Sequence, residues 1–251
     1  MRTRRLALAA IAGLLPLFAC SDDPKSSDGK ANEDTEAEGD DSTEASDEND
    51  QRDQELADSA VLTLDDMPSG WEVSPEDENA DEQQDELNQA FADCLDIDVS
   101  EIDSDNPSAE SAFGNTDDEE ITSDVEVADS AGEVKEYLDR FRHPDGQQCY
   151  RDVISDAFAK SMLAEGEDLE LGDITFNEVS FEDLGDDSIA FRLTVPVSSQ
   201  GFEVELFVDV VAVAEGRVGV TTTFQSLFTP FDPEEALRLT EIVLDRIPAD
   251  V

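Results

Sequence analysis

Three stretches, residues 188–197, 202–214 and 217–224, carry apolar side chains at every second position, and this pattern constrains the fold more than any other feature of the chain. A period of two is that of a strand with one buried face. Ile189, Phe191, Leu193 and Val195 form the first set, Val204, Leu206, Val208 and Val210 the second, and Val218, Val220, Thr222 and Phe224 the third. Their connections, Ser198-Ser199-Gln200-Gly201 and Glu215-Gly216, are short and built of turn residues, so the stretches read as an antiparallel meander. Phe207, Val211 and Val213 place apolar groups on the second face of the middle strand, which requires cover on both sides of the sheet. Residues 233–247 supply one cover. Asp232 is the N-cap, Pro233 takes the first helical position, Glu234 and Glu235 face the positive end of the helix dipole, and Ala236, Leu237, Thr240, Val243, Leu244 and Ile247 form an apolar stripe.

Upstream, Leu87, Phe91, Cys94 and Leu95 predict a helix over residues 81–95 with Cys94 turned inward. Val125 and Val127 predict a half-buried strand over 123–129, and Val134, Tyr137, Leu138 and Phe141 a helix over 131–141 that stops at His143-Pro144-Asp145-Gly146. A further helix over 147–164 carries Cys149, Val153, Ala157 and Phe158, and residues 174–181 add a strand. The segment Val61-Leu62-Thr63-Leu64 leads into Met67-Pro68-Ser69-Gly70-Trp71, where the tryptophan reads as a lid on the core edge. The expected fold is α+β over residues 60–251, an antiparallel β-meander sheet flanked by helices.

At the N-terminus, Arg2, Arg4 and Arg5 precede an apolar run over residues 6–18, the charged and apolar regions of a secretory signal. The run is shorter than the roughly 20 residues of a spanning helix. Leu17-Phe18-Ala19-Cys20 resembles the bacterial lipobox. That resemblance implies a signal peptide over residues 1–19, a diacylglyceryl group on the Cys20 thiol and fatty acylation, such as palmitate, of the new amino terminus, which would hold the protein on the extracytoplasmic face of the cell membrane. Residues 21–59 have no aromatic and almost no aliphatic side chain, so 20–59 is expected to be a disordered acidic tether. With Cys20 lipidated, Cys94 and Cys149 remain as an even pair in an exported chain, and a disulfide is the default expectation.

Charge excludes more than it assigns. Between Val61 and Val251 there are 50 acidic and 9 basic residues, a net of −41. Nucleic acid is not a natural partner of such a domain, because phosphate binding needs a basic face; solubility, or life in salt, is sufficient reason for the acids. The single histidine, His143, lies in a polar turn without G-x-S-x-G or comparable context, and there is no P-loop or dinucleotide fingerprint. No cofactor and no catalytic residue is expected, and the chain is read as a non-enzyme. Asp96-Ile97-Asp98-Val99-Ser100 begins like an EF-hand loop, but Glu101 stands where glycine is needed and Pro107 where the bidentate glutamate is needed, so no metal site is expected there.

The Pro-Ser-Gly-Trp entry at 68–71, the two spaced cysteines, the meander and the closing amphipathic helix together resemble cell-envelope lipoproteins of high-GC Gram-positive bacteria. Some relatives of that kind are similar to extracellular sensor domains of serine/threonine kinases or to the PsbP-like α/β/α sandwich; the kinase sensor domains have two cysteine pairs where this chain has one. The resemblance implies a binding or sensing module, with a structural or assembly lipoprotein as the alternative and a cryptic enzyme as the third reading. The residues expected to line an apolar ligand cleft are Phe207, Val211, Val213, Phe228 and Phe231, and the expected partners are a small apolar ligand or a cell-envelope protein, besides the membrane itself.

Overall fold

The computed structural model describes residues 43–75, 80–102, 106–165, 169–199, 202–249 and 251. The expected signal peptide, Cys20 and residues 20–42 of the expected tether lie outside them. Eight antiparallel strands form one sheet: β1 (Glu72–Val73), β2 (Ser108–Gly114), β3 (Glu120–Val127), β4 (Leu169–Leu171), β5 (Thr175–Glu178), β6 (Asp187–Ser199), β7 (Phe202–Glu215) and β8 (Val218–Leu227). The order is β1-β2-β3-β8-β7-β6-β4, with β5 also paired to β6. Five helices flank the sheet: α1 (Thr43–Ala60), α2 (Ala80–Leu95), α3 (Ala131–Arg142), α4 (Pro144–Glu165) and α5 (Pro233–Asp245). The class is α+β, and the meander of β6, β7 and β8 keeps the register that its alternation predicts.

Two cores form because β7 is apolar on both faces. On one side Phe191, Leu193 and Val195 of β6 and Leu206, Val208 and Val210 of β7 pack with Leu138, Tyr150, Ile154 and Phe158 of α3 and α4 and Leu87 of α2. On the other, Val211 and Val213 join Ile121, Val125, Val220 and Phe224 beneath Ala57 and Ala60 of α1 and Leu239 and Val243 of α5. The α5 cap is as read from sequence, with the Asp232 carboxylate accepting from Glu234 N–H and Pro233 opening the helix.

Three expectations need correction. Residues 43–59 are helical and form the body of α1, so the tether cannot extend to residue 59. The helix is anchored by Ala57 and Ala60, both fully buried, by the ion pair of Asp53 with Arg217, and by Gln54 Nε2 donating to Ser108 O at 2.6 Å. Small side chains let it sit flush on the sheet, which is why so polar a segment folds. Second, His143-Pro144 does not open a loop before the next helix: His143 closes α3 and Pro144 immediately starts α4, where proline lacks no needed N–H. Third, β3 is buried on both faces. The disulfide between Cys94 and Cys149 is present, Cα to Cα 5.8 Å, and ties α2 to α4 beside the stacked pair Phe91 and Tyr150; Cys149 is buried, whereas Cys94 lies on the exposed side of α2 and not inward.

Candidate functional site

The residues expected to line an apolar cleft do not come together in one. Val211, Val213 and Phe231 are core, Phe231 stacking on Phe224 at 5.0 Å with Trp71 edge-on at 6.4 Å. Phe207 is half-buried in the first half of β7. Phe228 is 66% exposed at φ +71°, a left-handed backbone that a non-glycine residue adopts at a cost, and its N–H donates to Glu205 O. The physical reason is α5: it fills the space over β8 that the cleft would have needed. His143 is exposed, its Nδ1 accepting from Asp145 N–H at 3.3 Å. Asp98, in the EF-hand-like segment, caps a short 3₁₀ turn over Val99–Glu101, and the Ser100 hydroxyl and N–H that it accepts hold its carboxyl below the usual range. No group of three or more metal-ligating side chains occurs among the described residues, and no helix among them is long and apolar enough to cross a membrane.

A cavity of about 330 Å³ does open on the other side of the sheet, lined by Ser100, Ile102, Asn106, Glu126, Tyr137, Arg140 and neighbouring residues. It follows from an asymmetry in one sheet face. Toward α2, α3 and α4, strands β6 and β7 present apolar side chains, but β3 presents Glu120, Thr122, Asp124 and Glu126, and β8 presents Gly219, Thr221, Thr223 and Gln225. These eight residues face each other as four rungs: Glu126 with Gly219, Asp124 with Thr221, Thr122 with Thr223, Glu120 with Gln225. The first rung floors the cavity, and α3 forms a wall through Val134, Tyr137 and Arg140. On the far side of Tyr137 and Arg140, a hollow of about 30 Å³ beside Phe91 and Phe141 has room for about one water.

Electrostatics at this face are strained. Asn106 Nδ2 donates to Glu126 Oε1 at 2.6 Å, while Arg140, the one basic lining residue, binds Glu101 at 3.0 Å and Glu136 at 3.4 Å at the rim. Asp124 is 5% exposed, and its carboxyl is held well above the usual range by burial and by the charges of Glu110, directly opposite on β2, and Glu126. Glu120 is raised to about 7, chiefly by burial, against a hydrogen bond from Ser74. The Tyr137 phenol is raised by burial, with Tyr150, Glu126 and Asp124 adding to it, so both carboxylates lie near that ring.

Four oxygens on these rungs, Asp124 Oδ1, Thr221 Oγ1, Thr223 Oγ1 and Gln225 Oε1, are buried without a hydrogen-bond partner. The sequence reading missed this row because Thr122, Asp124 and Glu126 alternate with valines and isoleucine as the solvent face of a strand does. A usable signal was the polar run Thr221-Thr222-Thr223 within a strand flanked by partners on both sides. Comparison with protein-family models, curated proteins and solved structures returns no match for the chain.

Proposed function

We propose that the chain is a membrane-anchored extracytoplasmic lipoprotein that works as a binding module, its ligand seated in the cavity between α3, Ser100, Ile102, Asn106 and the polar half of the sheet. The cavity itself supports this reading most: it is walled by α3, floored by Glu126 and Gly219, and combines the apolar Ile102, Val134 and Tyr137 ring with convergent polar groups, as small-molecule sites do. A volume of about 330 Å³ suits a small molecule. The carboxylates of the lining, Glu101, Glu126, Glu133 and Glu136, revise the expected ligand from apolar to one that donates hydrogen bonds, since they accept only and repel an anion.

The anchoring part rests on the lipobox-like Leu17-Phe18-Ala19-Cys20. Cys20→Ser is expected to release the protein from the membrane fraction or leave its signal attached; a processed variant that still sediments with membranes contradicts the anchor. For binding, the full chain is extracted from its own membranes and weighed intact by native mass spectrometry. A bound small molecule is expected on the wild type and absent from Ser100→Trp, which places an indole among the lining residues. A chain that carries nothing, or a ligand that Ser100→Trp retains, contradicts the site.

A further inference from the structure

We propose that α2 is a lid over the cavity, latched by the Cys94–Cys149 bridge, and that an external dithiol opens the site by reducing that bridge. This rests on the binding-module reading and names the regulation of the same site.

Three observations converge. The first is position. Ser100, Glu101 and Ile102, which follow α2, line the cavity, and Asn88, Phe91 and Leu95 of α2 line the hollow on the far side of Tyr137 and Arg140. The two spaces share Ile102, Tyr137 and Arg140, so a movement of α2 that carries residues 96–102 with it opens both to solvent.

The second is that little besides the bridge holds the helix down. It rests mainly on α4, and of its side chains from Glu82 to Leu95 only Leu87, Asn88 and Ala92 are buried. The shorter α3 buries Val134, Leu138 and Phe141. Helix α2 also carries five acidic residues and no basic one, in a chain that is itself strongly acidic, so repulsion drives it outward. The clasp of Glu101 by Arg140 at its far end is a part-exposed ion pair, a weak hold in water.

The third is access. Cys94 is exposed on α2, whereas Cys149 is 3% exposed on α4, so an incoming thiolate meets the Cys94 sulfur. Its attack forms a mixed disulfide at Cys94, breaks the bond to Cys149 and expels Cys149 as a thiolate, which takes up the proton that the reductant gave up. The second thiol of the reductant then displaces Cys94, which is protonated in the same way. Two electrons have passed from the dithiol to the bridge, and the reductant has become a disulfide.

The chain carries its own reporters. Both tyrosines lie beneath the lid, Tyr137 between the two spaces and Tyr150 stacked on Phe91 at 5.4 Å. Trp71, the only tryptophan, packs beside Phe231 in the core on the opposite face of the sheet.

The test is hydrogen exchange of the full chain at pH 8 with and without dithiothreitol, read by mass spectrometry together with Trp71 fluorescence. Reduction is expected to speed exchange over residues 87–102 at least about tenfold, while β6 to β8 and the Trp71 signal stay unchanged and reoxidation restores the slow rate. The acceleration should be smaller in 1 M salt, where repulsion is screened. A paired Cys94→Ser, Cys149→Ser variant should behave like the reduced chain and admit nitration at Tyr150; if it fails to fold, the reduced wild type decides by the same readouts. Unchanged exchange over 87–102 on reduction overturns the latch, and so does loss of the Trp71 signal together with α2, which makes the bridge a staple of the whole domain. The molecule that native mass spectrometry finds on the oxidised chain should leave on reduction, and its retention beneath a loosened α2 overturns the gate. A chain without a bound molecule in either state contradicts the binding module, while the exchange of α2 still decides the latch.

Discussion

Raising the pH from 5 to 8 should destabilise the folded domain, opposite to the trend set by surface ion pairs. Glu120 has its carboxyl raised from 4.5 to about 7 in the fold, so between these values the native state holds a proton that the unfolded chain releases. Stability then falls as pH rises, is fully present below about 4.5 and is lost above 7. A displacement of this size corresponds to on the order of 3 kcal/mol, and Asp124 acts in the same direction. On the acid side Asp66, Asp187 and Glu235 have lowered carboxyls, bonded to Arg246, Arg142 and Arg238, and their contribution disappears as pH falls through their folded values. The optimum should therefore lie near pH 4–5, below the usual range of about 5–8. Urea unfolding of the full chain measures this, with an expected midpoint about 1–3 M lower at pH 8 than at pH 5. The experiment belongs in 1 M salt, where a Debye length of about 3 Å screens repulsion among surface acids but leaves buried groups largely untouched. Glu120→Gln should remove most of the decline. A midpoint that is level or higher at pH 8, or a Glu120→Gln variant with the full decline, refutes the reasoning.

Without added salt the same acids repel across the surface, so the melting temperature at pH 8 should rise with sodium chloride; a flat or falling curve shows that they are compensated locally. Opening the disulfide with a paired Cys94→Ala, Cys149→Ala change should cost about 4 kcal/mol by loop entropy, read as a lower urea midpoint, and an unchanged midpoint refutes it. Arg217→Ala leaves the buried Asp53 without its partner and should cost about 2 kcal/mol while exposing α1 to protease; an α1 that remains protected places its anchorage elsewhere. Phe231→Ala should cost about 3–5 kcal/mol without changing ligand affinity at equal folded fraction, because the ring is core. A loss of affinity there would restore the apolar cleft.

The meander and α5 were legible because each carries local signals that tertiary packing then reinforces: the period of two at Phe191, Leu193 and Val195, and the Asp232-Pro233 start. Helix α1 was not, since its buried contribution comes from Ala57 and Ala60, which hydropathy barely registers, and from an ion pair to a residue 164 positions away. Strand β2 was hidden because Ser108–Gly114 contains a single bulky apolar residue, Phe113, and owes its form to pairing with β3. The candidate site was illegible for a related reason. A polar residue on alternate strand positions signifies solvent unless the opposite layer is known, and only the placement of α3 and β8 turns Asp124 and Thr221 into buried groups. The charge that made close carboxylate pairs uninformative in the sequence becomes informative once Glu110 and Asp124 stand opposite each other.

The most direct measurement is a crystal structure of the chain purified from its native cells at pH 8, at a resolution that distinguishes water from a small organic molecule. Continuous non-protein density is expected in the cavity beside Glu126 and Tyr137, with a donor within hydrogen-bond distance of the Glu126 carboxylate. Isolated waters alone in the cavity, or its closure by Tyr137 and Arg140, would contradict a ligand site at this face.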